Sequence, residues 1–444
     1  AANTAIGYQA GLGHTTGGYN TVVGYGAMDG TGTGSTSAGS NHNTVLGYYA
    51  AGGSWADQDC SNLIAIGSNA LAGALQGDTA DGAVAIGSHA LYALTTGAGN
   101  TAVGYSSGKL ITTGAHNTSL GHSALLDVID GTGNVAIGSS ALAGALGTTA
   151  DSASYNIAIG YGTMGGAFAD TQTNHCVAIG TSAMDAANAA AASGAVAVGS
   201  GALGALTSGA GNTAVGYGAL KENVDGARNT AIGYGAMDSQ QAGGTQTTSD
   251  GSSDNVFVGY DAGGGDWANN ASHYNVGVGN YVMDYVMNSA SNNTAMGHNA
   301  LGGLNNGSDN VCIGSGAMNG SMAGETINNC VAIGSGALTG ALDSTDGTDE
   351  SSGTVAIGKS ALSTLTDGHG NLAVGYEALK TENNGDGNTA IGYQALTLTQ
   401  GANDNGNTGV GYKALTTLST GVGNVAVGYS AMATNKLGDK NIAI

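Results

Sequence analysis

Proline is missing altogether from this chain of 444 residues, where average usage of about 5% would supply roughly 22. Proline removes a backbone donor, so its absence points to a fold in which almost every N–H is engaged. Collagen is excluded, because there is neither proline nor a G-X-Y period. Positive charge is nearly as scarce. Lys and Arg number 8 against 30 Asp and Glu, the net charge is −22, and Arg228 is the single arginine. Nucleic-acid partners need cationic side chains to neutralise phosphates, so they are excluded. No run of about 20 apolar residues is present to enter a bilayer, so membrane insertion is not expected. Four cysteines, none in a C-x-x-C pair, are too few for a disulfide scaffold. The opening AANTAIGYQAG shows no basic stretch leading into an apolar one, and no signal peptide is read there.

What is present is glycine, 83 residues of it, set in a repeat. The motif N-T-A-I-G-Y-x-A-L recurs from end to end, with its glycine (position 0) at Gly7, Gly24, Gly47 and onward to Gly411 and Gly428. The commonest spacing is 17 residues, as in Gly87–Gly104–Gly121–Gly138, and the longest is the 26 between Gly233 and Gly259. Seventeen residues are too few for a helical hairpin repeat, and Ile, Val and Tyr favour strands. The reading is an all-β parallel β-solenoid, or β-roll, of about 24 coils of 17 or more residues. Each coil is expected to hold two strands of about five residues and to rise about 4.8 Å. The whole of 1–444 reads as one continuous rod, with loop insertions at 29–42, 50–62, 238–254, 261–274 and 339–353. Larger blocks also repeat: Asn20–Ile86 is similar to Asn229–Met296, and Gly82–Leu110 to Gly194–Lys221 and Gly353–Lys380.

Each motif position has a physical reading. Ile or Val at −1 (Ile6, Ile66, Ile137) is expected to face the coil core, with position −3 beside it. Alanine at −2 (Ala65, Ala102, Ala136) is then expected outside, where small side chains let another backbone pack closely. Leu or Met at +4 returns inward, and the glycine supplies a bend that a Cβ would block. Asparagine at −4 (Asn20, Asn100, Asn134, Asn212, Asn424) suits a ladder of amides bonded coil to coil. The exceptions are Leu63, Ala83, Cys176, Ala195, Cys330 and Thr354, which all follow a lengthened spacing. Tyrosine at +1 (Tyr25, Tyr105, Tyr217, Tyr393) reads as a structural ladder before it reads as a sugar-stacking stripe.

The string N-[TV]-A-[IV]-G-x-x-A resembles the coil motif of trimeric autotransporter adhesin heads. The 17-residue form, such as Asn212–Arg228, is similar to repeats of phage tail-fibre and bacterial surface-fibre proteins. The resemblance covers the whole chain. It implies a left-handed β-roll, assembly as a homotrimer, and a place outside the cell on a cell or virion surface.

Candidate sites are few. Trp55 and Trp267, the only tryptophans, sit at equivalent places in related insertions, next to Asp57 and Asp266. They are candidates for contact with surface glycans, the alternative being corner plugs that pack a loop down. Asp343, Asp346 and Asp349 could gather oxygen ligands for Ca²⁺, but they lack EF-hand spacing, so no metal or cofactor is assigned. Cys312 and Cys330 fall in successive coils at an offset that strains a disulfide, and buried free thiols are expected. No H-E-x-x-H, G-x-S-x-G or P-loop is present, and the motif offers no inward carboxylate, so an enzyme is not expected. The expected function is a structural extracellular fibre or filament segment, with a glycan- or receptor-binding module as the alternative. Both ends stop without a capping repeat, which predicts continuation into a longer fibre or head-to-tail stacking of subunits.

Overall fold

A computed structural model describes every residue except 1, 15, 31–38, 56–58, 77–79, 145–151, 167–172, 187–191, 239–250, 266, 268–270, 286, 321, 343–351 and 400–405. It divides into two units, Ala1–Gly218 and Ala219–Ile444. Each is a parallel β-solenoid. The first holds strands β1 (Thr4–Ile6) to β12 (Thr213–Val215), the second β13 (Thr230–Ile232) to β26 (Ile442–Ala443). Nearly all are three-residue strands at positions −3 to −1, one per motif copy. Within each unit they pair in register from copy to copy, as Thr101, Ala102 and Val103 pair with Thr118, Ser119 and Leu120. In the second unit β17 (Leu304–Asn306) and β19 (Met322–Thr326) form a separate parallel pair.

One short strand per coil replaces the two longer ones expected. The reason lies in the backbone. Positions +2, +4 and −5 take left-handed φ in coil after coil, for example Ser106 (54°), Leu125 (54°) and His116 (57°), so the chain turns three times where a second strand was expected. The glycine at 0 lies further out still, with φ between 126° and 146° along the repeat, a region essentially closed to L side chains. The turns are nevertheless bonded from coil to coil. Ser106 N–H donates to Ser88 O at 2.9 Å, Leu91 N–H to Ser107 O at 3.0 Å, His116 N–H to Ala98 O at 2.9 Å and Gly104 N–H to Ile86 O at 2.7 Å. With donors engaged around the whole circuit, proline has almost nowhere to go.

The expected faces are reversed. Alanine at −2 is inside: Ala65, Ala102, Ala136, Ala214 and Ala390 are fully buried. The −3 and −1 rows are outside, with Leu120 47%, Met296 50% and Ile391 38% exposed. A 17-residue circuit encloses a narrow interior, and the room there is taken by the −4 asparagines, the +3 alanines and the +4 Leu or Met. Ala124 and Leu125 are one such buried pair. In most coils alanine fits opposite them, with Val45 and, beside Gly277, Phe257 as larger occupants, so most β-branched residues take the other face of the strand. The +4 side chain is held in the left-handed region at a cost of about 1–2 kcal/mol. Burying a Leu or Met contributes about 1.5–3 kcal/mol, enough to offset it.

Candidate functional site: the outer sheet face and its ladders

The outer face carries two side chains per coil, those at −3 and −1. They stand roughly 7 Å apart along the strand, with about 4.8 Å between coils. Thr, Val, Ile, Leu and Met fill it: Thr118 and Leu120, then Val135 and Ile137, then Ile157 and Ile159. The result is an apolar strip within each unit that water half covers.

Tyrosines border the strip one residue beyond the glycine. Tyr8, Tyr25 and Tyr48 stack at 5.1 and 5.6 Å between ring centroids. Tyr234 stacks on Tyr260 at 5.4 Å, and Tyr105 on His122 at 5.3 Å. Tyr393 belongs to a longer run formed with Tyr376, Tyr412 and Tyr429. Stacking occupies the ring faces and leaves edges and hydroxyls outward, which suits a ladder and leaves little for a sugar ring to lie on. Tyr217 is 58% exposed.

The asparagine ladder is inside, and it bonds backbone as well as side chains. Asn117 Nδ2 donates to Asn100 Oδ1 at 3.1 Å and to Gly131 O at 2.8 Å, and Asn117 Oδ1 accepts from Asn134 N–H at 2.9 Å. Asn424 repeats the pattern with Asn407 at 3.1 Å, and Asn20 Nδ2 reaches Ser40 O at 2.9 Å. Asn212 Nδ2 donates to Gly209 O at 2.8 Å. Where the ladder stops, the last amide still serves the next coil, as Asn43 Oδ1 accepts from Leu63 N–H at 2.9 Å.

A second ladder, at −6, escaped the sequence reading. Thr132 N–H donates to Ser154 Oγ at 3.0 Å, Ser154 N–H to Asn174 Oδ1 at 2.7 Å and Asn174 N–H to Ser193 Oγ at 3.1 Å. In the second unit His273 Nδ1 accepts from Ser253 N–H at 3.1 Å, and Asp386 Oδ1 from His369 N–H at 3.0 Å. The common requirement is an acceptor, which Ser, Thr, Asn, Asp and His all meet.

Both indoles are inside the coil. Trp55 is 0% and Trp267 3% exposed. Trp267 Nε1 donates to Gly263 O at 2.8 Å, and its ring meets Phe257 edge-on at 5.7 Å. This is the corner-plug arrangement, and it corrects the placing of the two rings on a projecting surface. A glycan contact through them has no exposed ring face to use. Asp57, Asp266, Asp343, Asp346 and Asp349 lie outside the described residues. Among the described residues no three His, Cys, Asp or Glu side chains gather as a metal site. All four cysteines are buried thiols outside any disulfide, and burial pushes the Cys330 thiol up to about 11.

A buried carboxylate corrects the expectation of none. Glu382 is fully buried, and its Oε1 accepts from Gly385 N–H at 2.9 Å. Asn223 accepts from Gly226 N–H at 3.0 Å in the same way. On the surface, Asp238, Asp261 and Asp284 come from successive coils. Partial burial, with the charges of Asp261 and Asp238 added, pushes Asp284 up to about 6. Arg228 is clamped by Asp254 through Nε at 2.6 Å and Nη2 at 2.8 Å, which holds the Asp254 carboxyl below its usual range. The chain matches no known protein family, and no curated protein is similar to it in sequence.

Proposed function

We propose that this chain is a structural segment of an extracellular fibre, of the kind the adhesin heads and phage tail fibres exemplify, and that it associates with copies of itself through the outer sheet face. The observation that carries the reading is the apolar strip at −3 and −1. A solvated strand face ordinarily alternates to polar residues; here Leu120, Ile157, Ile232 and Ile313 are all more than a third exposed. Contiguous apolar surface of this kind marks an interaction surface. A second copy suits it because the strip repeats in every coil, so the area covered grows with the number of coils engaged. The net charge of −22 is then what keeps the remaining surfaces apart. Burial of the functional groups in ladders supports a framework role. A place on a cell or virion surface belongs to the same proposal.

The test is association state. Ile66→Lys, Ile86→Lys and Val103→Lys together put three charges on the strip while leaving the buried Ala65, Ala85 and Ala102 untouched. Sedimentation velocity is expected to show oligomers for the natural chain and monomers for the triple variant, with equal far-ultraviolet dichroism. A natural chain that stays monomeric at high concentration, or a variant that associates as well as its parent, overturns the reading.

A further inference from the structure

Four tyrosines of the second unit carry a chemistry that a framework does not call on. Tyr376, Tyr393, Tyr412 and Tyr429 stack face to face in successive coils, with centroids 5.1, 5.3 and 5.1 Å apart and planes within 8°, 10° and 7°. All are open to solvent, from 39% at Tyr376 to 80% at Tyr429. The side chains that would otherwise intercept a one-electron oxidant are shielded, since the four thiols and both indoles are buried. An oxidant arriving from solution therefore meets phenols first, because attack follows exposure.

We propose that this stack is a site of oxidative dityrosine cross-linking between neighbouring coils, with hydrogen peroxide, acting through a haem peroxidase, as the co-reactant. Each of two phenols gives up one electron and its O–H proton. The two phenoxyl radicals join ortho carbon to ortho carbon, and the hydrogens on those carbons move to the oxygens, which restores two phenols. The two electrons and two protons released reduce one peroxide to two waters. Stacking favours this step because the partners are held side by side before either is oxidised, a proximity advantage that free chains lack. Tyr376 also has a base at hand. The Glu377 carboxylate follows it in the chain, its charge acts on the phenol, and Lys380 Nζ and Gln394 Nε2 hold it in place at 2.8 Å each. Coils that rest only on their neighbours open by fraying, and a bond from each coil to the next closes that route.

The experiment uses the full chain, dilute, with horseradish peroxidase and hydrogen peroxide, read by dityrosine fluorescence and by mass spectrometry of tryptic peptides. Trypsin cuts after Lys359, Lys380, Lys413 and Lys436, so links 376–393 and 412–429 join separate peptides, and link 393–412 lies within one. These three intrachain links are expected to dominate. Tyr393→Phe keeps the ring stack but removes two of its three junctions, so of these three links 412–429 alone should survive. Two results overturn the proposal: links that fall mainly between chains or on Tyr161, which meets no other ring among the described residues, and a link pattern that Tyr393→Phe leaves unchanged.

Discussion

Adding one methyl group at either of two glycines five residues apart separates backbone demand from mere glycine content. Gly375 occupies position 0 with φ 141°, and an added Cβ would sit 2.6 Å from Gly392 C, besides meeting Gly392 O more closely still. Ordinary contact begins near 3.4 Å, so the coils must part by about 0.8 Å at a junction where Gly392 N–H bonds Val374 O at 2.8 Å. Gly370 has φ 65°, and an added Cβ there meets nothing within 4 Å. Gly375→Ala combines about 1–3 kcal/mol for an L side chain in this region with about 1–3 for overpacking. Gly370→Ala incurs about 1–2 kcal/mol for the left-handed residue, partly offset by about 0.4–1 from a stiffer unfolded chain. Amide exchange at Gly392 and Gln394 reads the difference directly, because both donate across the affected junction. At about 1.4 kcal/mol per tenfold, Gly375→Ala should lower protection there by about thirtyfold or more and Gly370→Ala by about fifteenfold at most. Equal effects from the two variants would refute the claim that coil contact, rather than turn flexibility, requires the glycine.

Two further substitutions test the reversed faces. Ala136→Asp buries an unpartnered carboxylate and should melt its neighbourhood, whereas Ile137→Asp on the half-exposed row should cost no more than about 1 kcal/mol in a urea titration. Acid should tighten the Asp238–Asp261–Asp284 column. With Asp284 raised to about 6 in the folded state, the folded form binds more protons than the unfolded one between about pH 4 and 6, so stability falls as pH rises through that window. After discounting for its half-exposed setting the effect is about 1–2 kcal/mol, and Asp284→Asn should flatten it in melts taken from pH 4 to 7.

The coil repeat was legible because a fixed period survives every insertion, and the asparagine ladder because one residue type recurs at one position. The faces were not legible. Val135-Ala136-Ile137 alternates with a period of two whichever side is in, and the habit of placing the larger residue inside fails where the enclosed space takes an alanine in most coils. The strand count failed for a related reason: Leu125 and Leu142 in a left-handed conformation look like ordinary strand residues in a sequence, and only the closed circuit forces them there. The −6 ladder was hidden by chemical variety, since Ser154, Asn174, His273 and Asp386 share an acceptor and nothing else. The burial of Trp55 and Trp267 is a fact of packing that neighbouring acidic residues concealed.

Thr230 faces Val256 as squarely as Thr101 faces Thr118, although the chain between partners is 26 residues in one case and 17 in the other. The longer circuit costs only about 0.4 kcal/mol more in closure entropy. For the gene, any duplicated stretch that begins and ends at the same motif position is therefore in phase with the lattice, whatever its length. Unequal recombination between mismatched copies then yields longer or shorter proteins that still fold, and the similar blocks Asn20–Ile86 and Asn229–Met296 have the form such events leave. Coil number and loop content become separately heritable, so selection can change reach without changing what the corners display.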